Sequence, residues 1–120
     1  MKIVITAQGN TLDSTVDPRF GRAKNFIIFD TETDKFSVKN NSQNLNAAQG
    51  AGIQAAQNVI ETGAEALITG HCGPKAFRVL NAGKIKIATG AKGTVKDAIN
   101  EFKNDKLEIA NSADVEGHWS

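Results

Sequence analysis

Glu65–Leu80, EALITGHCGPKAFRVL, decides how this chain folds. Ala66-Leu67-Ile68-Thr69 reads as a short buried strand, and Gly70-His71-Cys72-Gly73 reads as a tight turn. Pro74 opens a helix: proline is pre-organised for the first helical position, where its missing N–H has no intrahelical acceptor anyway. A strand that turns through glycines into a helix aims several backbone N–H groups at one spot. The positive end of the helix dipole points there too. The same turn carries the chain's single cysteine and one of its two histidines. Together these features suggest a site for an anion or a thiophilic metal.

The elements on either side can be read from pattern. Lys2–Ala7 (KIVITA) is a β-branched strand, Phe26–Asp30 (FIIFD) a second, and Lys35–Lys39 (KFSVK) a third with alternating faces. The short link Thr31-Glu32-Thr33-Asp34 makes the last two an antiparallel hairpin. Asn40–Asn46 is rich in Asn, Ser and Gln and reads as a loop. Ala47 through Thr62 reads as a helix, with Gly52, Ala55, Ala56, Val59 and Ile60 on one apolar face and Gly63 as its C-cap. The helix from Pro74 ends near Ala82-Gly83, and Ile85–Ala88 is a further strand. Gly90-Ala91-Lys92-Gly93 is a loop, after which Thr94 caps a helix through about Phe102. The tail from about Asn104 is mostly polar.

Composition narrows the function classes. A chain of 120 residues is expected to form one domain over its whole length. A net charge of +1 gives no global pull toward nucleic acid or a membrane surface, so any basic site is local. No apolar run approaches the ~20 residues that span a bilayer. MKIVITAQGN is too short and too alternating for a signal peptide. One cysteine forms no internal disulfide and fits a reducing cytoplasm. It also excludes a zinc or iron–sulfur site built only from this chain's cysteines.

The element order β-β-β-α-β-α-β-α predicts one mixed sheet of five strands covered by helices. Taking the first strand as antiparallel to the second, and the crossovers as right-handed, brings the end of the first strand and all three helix starts to one edge. Ligands of open α/β sheets bind at such an edge. The loops expected there are Gln8–Arg22, Asn40–Gln49, Gly70–Pro74 and Thr89–Thr94.

Two readings stand for Cys72 and His71. A thiolate and an imidazole suit copper, zinc or iron in clusters. Alternatively Cys72 is a small buried filler and His71 a surface turn residue. Arg19 and Arg22 flank Phe20-Gly21. Two guanidinium groups near a helix start suit a phosphate, a carboxylate or an anionic cluster; the bland reading is two solvated arginines, one paired with Asp17. Phe20 is expected to pack beneath this loop. Gly50-Ala51-Gly52 and Gly90–Gly93 match neither the phosphate-loop nor the dinucleotide pattern. Lys75 and Lys92 add charge at the edge or are simply solvated. His118, in the tail beside Trp119, is a remote metal-ligand candidate. No nucleophile-elbow motif or facing carboxylate pair points to catalysis.

With Asp17–Asp30 (DPRFGRAKNFIIFD), Gly50–Gln57 (GAGIQAAQ) and Ala66–Ala76 (ALITGHCGPKA) in place, the chain resembles the dinitrogenase iron–molybdenum cofactor biosynthesis family, the NifB/NifX-type domain, in its small stand-alone form. The resemblance runs over nearly the whole chain. It implies a three-layer ribonuclease-H-like α/β/α fold with a mixed five-stranded sheet and helices on both faces. It also implies binding of an anionic metal–sulfur cluster or precursor and its transfer between donor and acceptor proteins, without catalysis. The cluster metal (iron, molybdenum or copper) stays open. Arg19, Phe20, Gly21 and Arg22, and the turn Gly70–Pro74, match the family's motifs; Gly70, Gly73 and Lys75 join the cargo-binding set. His71 and Cys72 lie inside the second motif, and their role as ligands is inferred from side-chain chemistry. No radical-SAM cysteine triplet is present, so this is not the full cofactor synthase. A nuclease, the rival that this fold raises, needs metal-binding carboxylates, one of them on the first strand, and Lys2–Ala7 carries no acid. A second functional reading is a metal-free regulatory module for a small anion or nucleotide at the same edge.

Overall fold

Lys2–Ala7 forms β1, Asn25–Asp30 β2, Phe36–Asn40 β3, Ala51–Glu61 α1, Ala66–Ile68 β4, Pro74–Ala82 α2, Lys86–Thr89 β5, Val95–Lys103 α3 and Glu108–Ile109 β6. The computed structural model describes residues 1–41 and 51–110. The expected loop after Asn41, the first turn of the helix from Ala47, Gly50 and His118 lie outside the described residues.

The strands make one sheet in the order β3-β2-β1-β4-β5-β6. β1 pairs antiparallel with β2, from Lys2 opposite Asp30 to Ala7 opposite Asn25. β2 and β3 form the antiparallel hairpin. β4 lies parallel to β1 and β5 parallel to β4. The central strands are buried along most of their length because helices cover both faces, so β1 and β4 read as continuous apolar runs.

Period-two alternation sorts the core. Val4, Phe26, Leu67 and Ile87 pack on the face of α1 and α2. Ile3, Ile5, Ile27, Ala66, Ile68 and Ala88 pack on the face of α3. α1 turns Ala51, Gly52, Ala55, Ala56 and Val59 inward, a small-residue face that seats it close to the sheet and to α2. It stops at Gly63, whose φ of +79° is the left-handed conformation that a helix C-terminus favours in glycine. α3 begins with a capping box: Thr94 Oγ1 accepts the Asp97 N–H at 3.1 Å, and Asp97 Oδ2 accepts the Thr94 N–H at 3.2 Å.

One expectation is corrected. The sheet has six strands, not five, because the polar tail supplies β6. Glu108 and Ile109 pair antiparallel with Thr89 and Ala88, and the Ala110 N–H bonds the Ile87 carbonyl at 2.8 Å. A strand of two residues has no periodicity to read; backbone bonding to the edge of β5 creates it. The alternation in KFSVK does not mark a buried face either. β3 is an edge strand whose Phe36 and Val38 remain 41% and 39% exposed, since α3 covers β1 and β4 rather than β3.

Leu67, fully buried on the central strand β4, gives a direct test of this core. Leu67→Ala is expected to lower unfolding free energy by about 3 kcal/mol through lost transfer energy and a residual cavity. Thr94→Ala, which removes one half of the capping box, is expected to cost about 1 kcal/mol. Urea titrations of both variants check the two values and their order.

Candidate functional site

At the C-terminal ends of β1, β4 and β5 three connecting loops are joined by backbone hydrogen bonds. The His71 N–H bonds the Pro18 carbonyl at 2.8 Å, and the Phe20 N–H bonds the His71 carbonyl at 3.3 Å. Arg19 and His71 thereby become partners in an isolated parallel bridge. The Gly90 N–H bonds the Gly70 carbonyl at 2.9 Å and ties in the loop that leads to α3. The Val16 N–H bonds the Gly93 carbonyl at 2.9 Å and closes the group.

Residue 70 must be small for this to form. A Cβ there would lie 2.8 Å from both the Cα and the carbonyl oxygen of Pro18. Pro18 is backbone and cannot swing aside, so glycine permits the loops to touch. Phe20 anchors the first loop from below. It is fully buried and stacks on Phe26 with ring centroids 5.8 Å apart.

Two buried polar residues hold the base of the loop. Asp17 is 5% exposed, and its Oδ1 accepts the Arg19 N–H at 3.1 Å. Its backbone N–H bonds the Thr6 carbonyl at 2.9 Å, and its carbonyl accepts the Thr6 hydroxyl at 2.7 Å. Asn41 is also buried, with Nδ2 donating to the Ala23 carbonyl at 2.8 Å. Asp17 thus serves the backbone of Arg19, and the described ion pairs do not join it to either arginine.

Two of the helix starts at this edge differ. The N-terminus of α3 is closed by the Thr94–Asp97 capping box. The N-terminus of α2 has Gly73 as N-cap with no side-chain cap and Pro74 in its first turn. An open helix N-terminus presents N–H groups and a partial positive charge, which together suit an anion.

Most of the candidate residues come together here. Arg19 and His71 are exposed and adjacent, Lys75 is exposed in the first turn of α2, and Arg22 is half-buried after the buried Gly21. Lys92 is exposed in the neighbouring loop. Cys72 points the other way. It is 1% exposed, packs in the α1–α2 core, and its Sγ lies 3.7 Å from the Gly73 carbonyl oxygen. The cysteine is therefore buried while its neighbour His71 is exposed. Among the described residues no group of three or more His, Cys, Asp or Glu is arranged to hold a metal ion.

Sequence reasoning passed over Thr6 and Thr69, whose hydroxyl oxygens are 2.9 Å apart beneath the loops. A signal existed: each is the polar residue that ends a run of buried apolar ones. In strands so rich in β-branched residues, threonine passes as another strand former.

Known proteins resemble this chain over nearly all its length. The apo form of the orange protein from Desulfovibrio gigas superposes with a TM-score of 0.93 at 38% identity, covering 95% of this chain and 96% of that one. A putative NifB protein from Thermotoga superposes with a TM-score of 0.84 at 35% identity, covering 97% and 98%. An uncharacterised protein of Methanocaldococcus jannaschii is 29% identical over 110 residues, 90% of each chain. The family model described as dinitrogenase iron-molybdenum cofactor matches residues 1–105. The chain belongs to that dinitrogenase iron–molybdenum cofactor family.

Proposed function

We propose that this protein binds and carries an anionic metal–sulfur cluster or a precursor of one, without catalysing a reaction on it. One observation carries the reading: backbone bonds hold Arg19 beside His71, next to the uncapped N-terminus of α2. A metal–sulfur cluster is a compact polyanion whose sulfides accept hydrogen bonds. Arg19, Arg22 and Lys75 answer its charge, and the first N–H groups of α2 answer its sulfides. His71 is the exposed candidate ligand. Cys72 supports the turn from inside the core and joins the ligand set only if the turn rearranges. Kinship with the orange protein and with a NifB protein supports a cargo of the iron–molybdenum cofactor class. The metal is iron, molybdenum or copper.

A carrier has to release what it holds. Electrostatic contacts and a single imidazole suit transfer from a donor protein to an acceptor protein better than a closed cage of thiolates. The reading places the protein in the cytoplasm, away from nucleic acid and membrane; no described helix is long and apolar enough to cross a bilayer. Strand order β3-β2-β1-β4-β5 with helices on both faces supports the ribonuclease-H-like class within this reading. Burial of Cys72 favours, as the second reading, a metal-free module for a small anion at the same surface.

Titration with tetrathiomolybdate, followed by its visible absorption, tests the site. The double variant Arg19→Ala/Arg22→Ala is expected to weaken binding by about tenfold or more, since a charge-assisted hydrogen bond contributes about 1.5–3 kcal/mol. Cys72→Ala is expected to stay within about twofold of the parent, consistent with a sulfur turned inward. Unchanged affinity in the arginine variant would sink the proposal. Affinity should also fall as salt rises from 0.05 to 0.5 M, because exposed charges are screened over about 10 Å at 0.1 M. Equal or tighter binding of inorganic phosphate, read by melting temperature, would favour the second reading.

A further inference from the structure

We propose that Thr6 and Thr69 are positioning residues for the cargo site: their buried hydroxyl pair sets how the Arg19 loop sits against the His71 turn. This rests on the functional reading above and adds residues that no family motif named. Thr6 lies one residue from the C-terminal end of β1, and Thr69 immediately follows β4. The two strands are parallel neighbours in the centre of the sheet, in the register Ile5 opposite Ile68. The next residues, Thr6 and Thr69, therefore stand side by side where the two loops depart. Both are fully buried, and their Oγ1 atoms are 2.9 Å apart.

The geometry makes a chain of bonds. Thr6 Oγ1 is 2.7 Å from the Asp17 carbonyl oxygen and 2.9 Å from Thr69 Oγ1. A hydroxyl has one hydrogen. Thr6 is the donor in both contacts, so its one hydrogen is shared between the Asp17 carbonyl oxygen and the Thr69 hydroxyl oxygen. Thr6 thereby joins Thr69 on one side to Asp17 on the other, and Asp17 Oδ1 accepts the Arg19 N–H. On the other side Thr69 leads directly into Gly70 and His71, which bond back to Pro18 and Phe20. Two routes thus link the loops, one through the backbone of His71 and one through the paired hydroxyls below. The backbone route is shared with any residues that fit the turn. The hydroxyl route depends on Thr6 and Thr69, and burial among apolar neighbours makes its loss costly.

The experiment compares Thr6→Val, which removes both bonds, Thr69→Val, which removes only the shared one, and Thr6→Ser, which restores a hydroxyl. Three readouts are taken on each: melting temperature, amide exchange of the His71 and Phe20 N–H groups relative to Ile5 and Ile68, and tetrathiomolybdate affinity well below the transition. Positioning predicts that Thr6→Val loosens exchange at His71 and Phe20 selectively and weakens affinity on the order of tenfold, the equivalent of about one buried hydrogen bond. Thr69→Val should show a smaller change of the same kind, and Thr6→Ser should return both readouts to near the parent. If Thr6→Val lowers the melting temperature while exchange and affinity of the folded protein stay unchanged, the threonines are only structural and the proposal is overturned. If Thr6→Val does not fold, Thr69→Val decides between the same two outcomes. Failure of the parent to bind tetrathiomolybdate would count against the cargo reading alone. Exchange at His71 and Phe20 would still show whether the hydroxyl pair positions the loops, and unchanged exchange in Thr6→Val would overturn that too.

Discussion

Everything at the candidate site depends on the exchange of backbone hydrogen bonds between Pro18–Phe20 and His71. It forms because β1 and β4 are parallel neighbours whose loops leave the sheet side by side. A loop of polar residues would otherwise lose its ordering entropy for little return. Here the cost is offset from below by Phe20, buried against Phe26, and from the side by the carboxylate of Asp17. The absence of a side chain at residue 70 lets the two backbones meet. The result is a rigid platform built from loops, with cationic side chains carried on its exposed surface.

Charge is distributed unevenly along the strand direction. The described salt bridges join the N-terminal amine to Asp30 and Glu32, and Lys103 to Asp34. All lie at the far end of the strands from the loop platform. At the platform the carboxylates of Asp17 and Asp97 accept backbone N–H groups, and the nearby arginines and lysines face solvent or the loops. The start of α3 is closed by its own capping box, while that of α2, beside His71, has no side-chain cap among the described residues. Among the described residues the ion pairs thus lie away from the platform, a polarity that a net charge of +1 conceals.

Much of the architecture was legible from pattern. Glu65–Leu80 announces a strand, a glycine turn and a proline-started helix, and all three are present. The hairpin followed from a short link, and the convergence of loops followed from handedness and a mixed sheet. What escaped was whatever pattern does not encode. β6 exists because two tail residues find the edge of β5. Phe36 and Val38 alternate like a buried face yet stand exposed, because the described helix on that face packs chiefly on β1 and β4. For Cys72 and His71 the sequence left two readings open, and only the packed structure shows the cysteine buried and the histidine exposed.

Local chemistry in the chain specified the elements, their order, the glycine turn and the cluster of basic residues near it, because these depend on short-range propensity, periodicity and covalent spacing. Tertiary structure decided the rest: that Arg19 meets His71, that the Cys72 sulfur faces the core, and that Thr6 and Thr69 share a hydrogen bond. Each of those joins residues far apart in the chain, such as positions 6 and 69. Their separation is set by packing of β1 against β4 and by burial of Phe20, and no stretch of sequence read alone contains that distance.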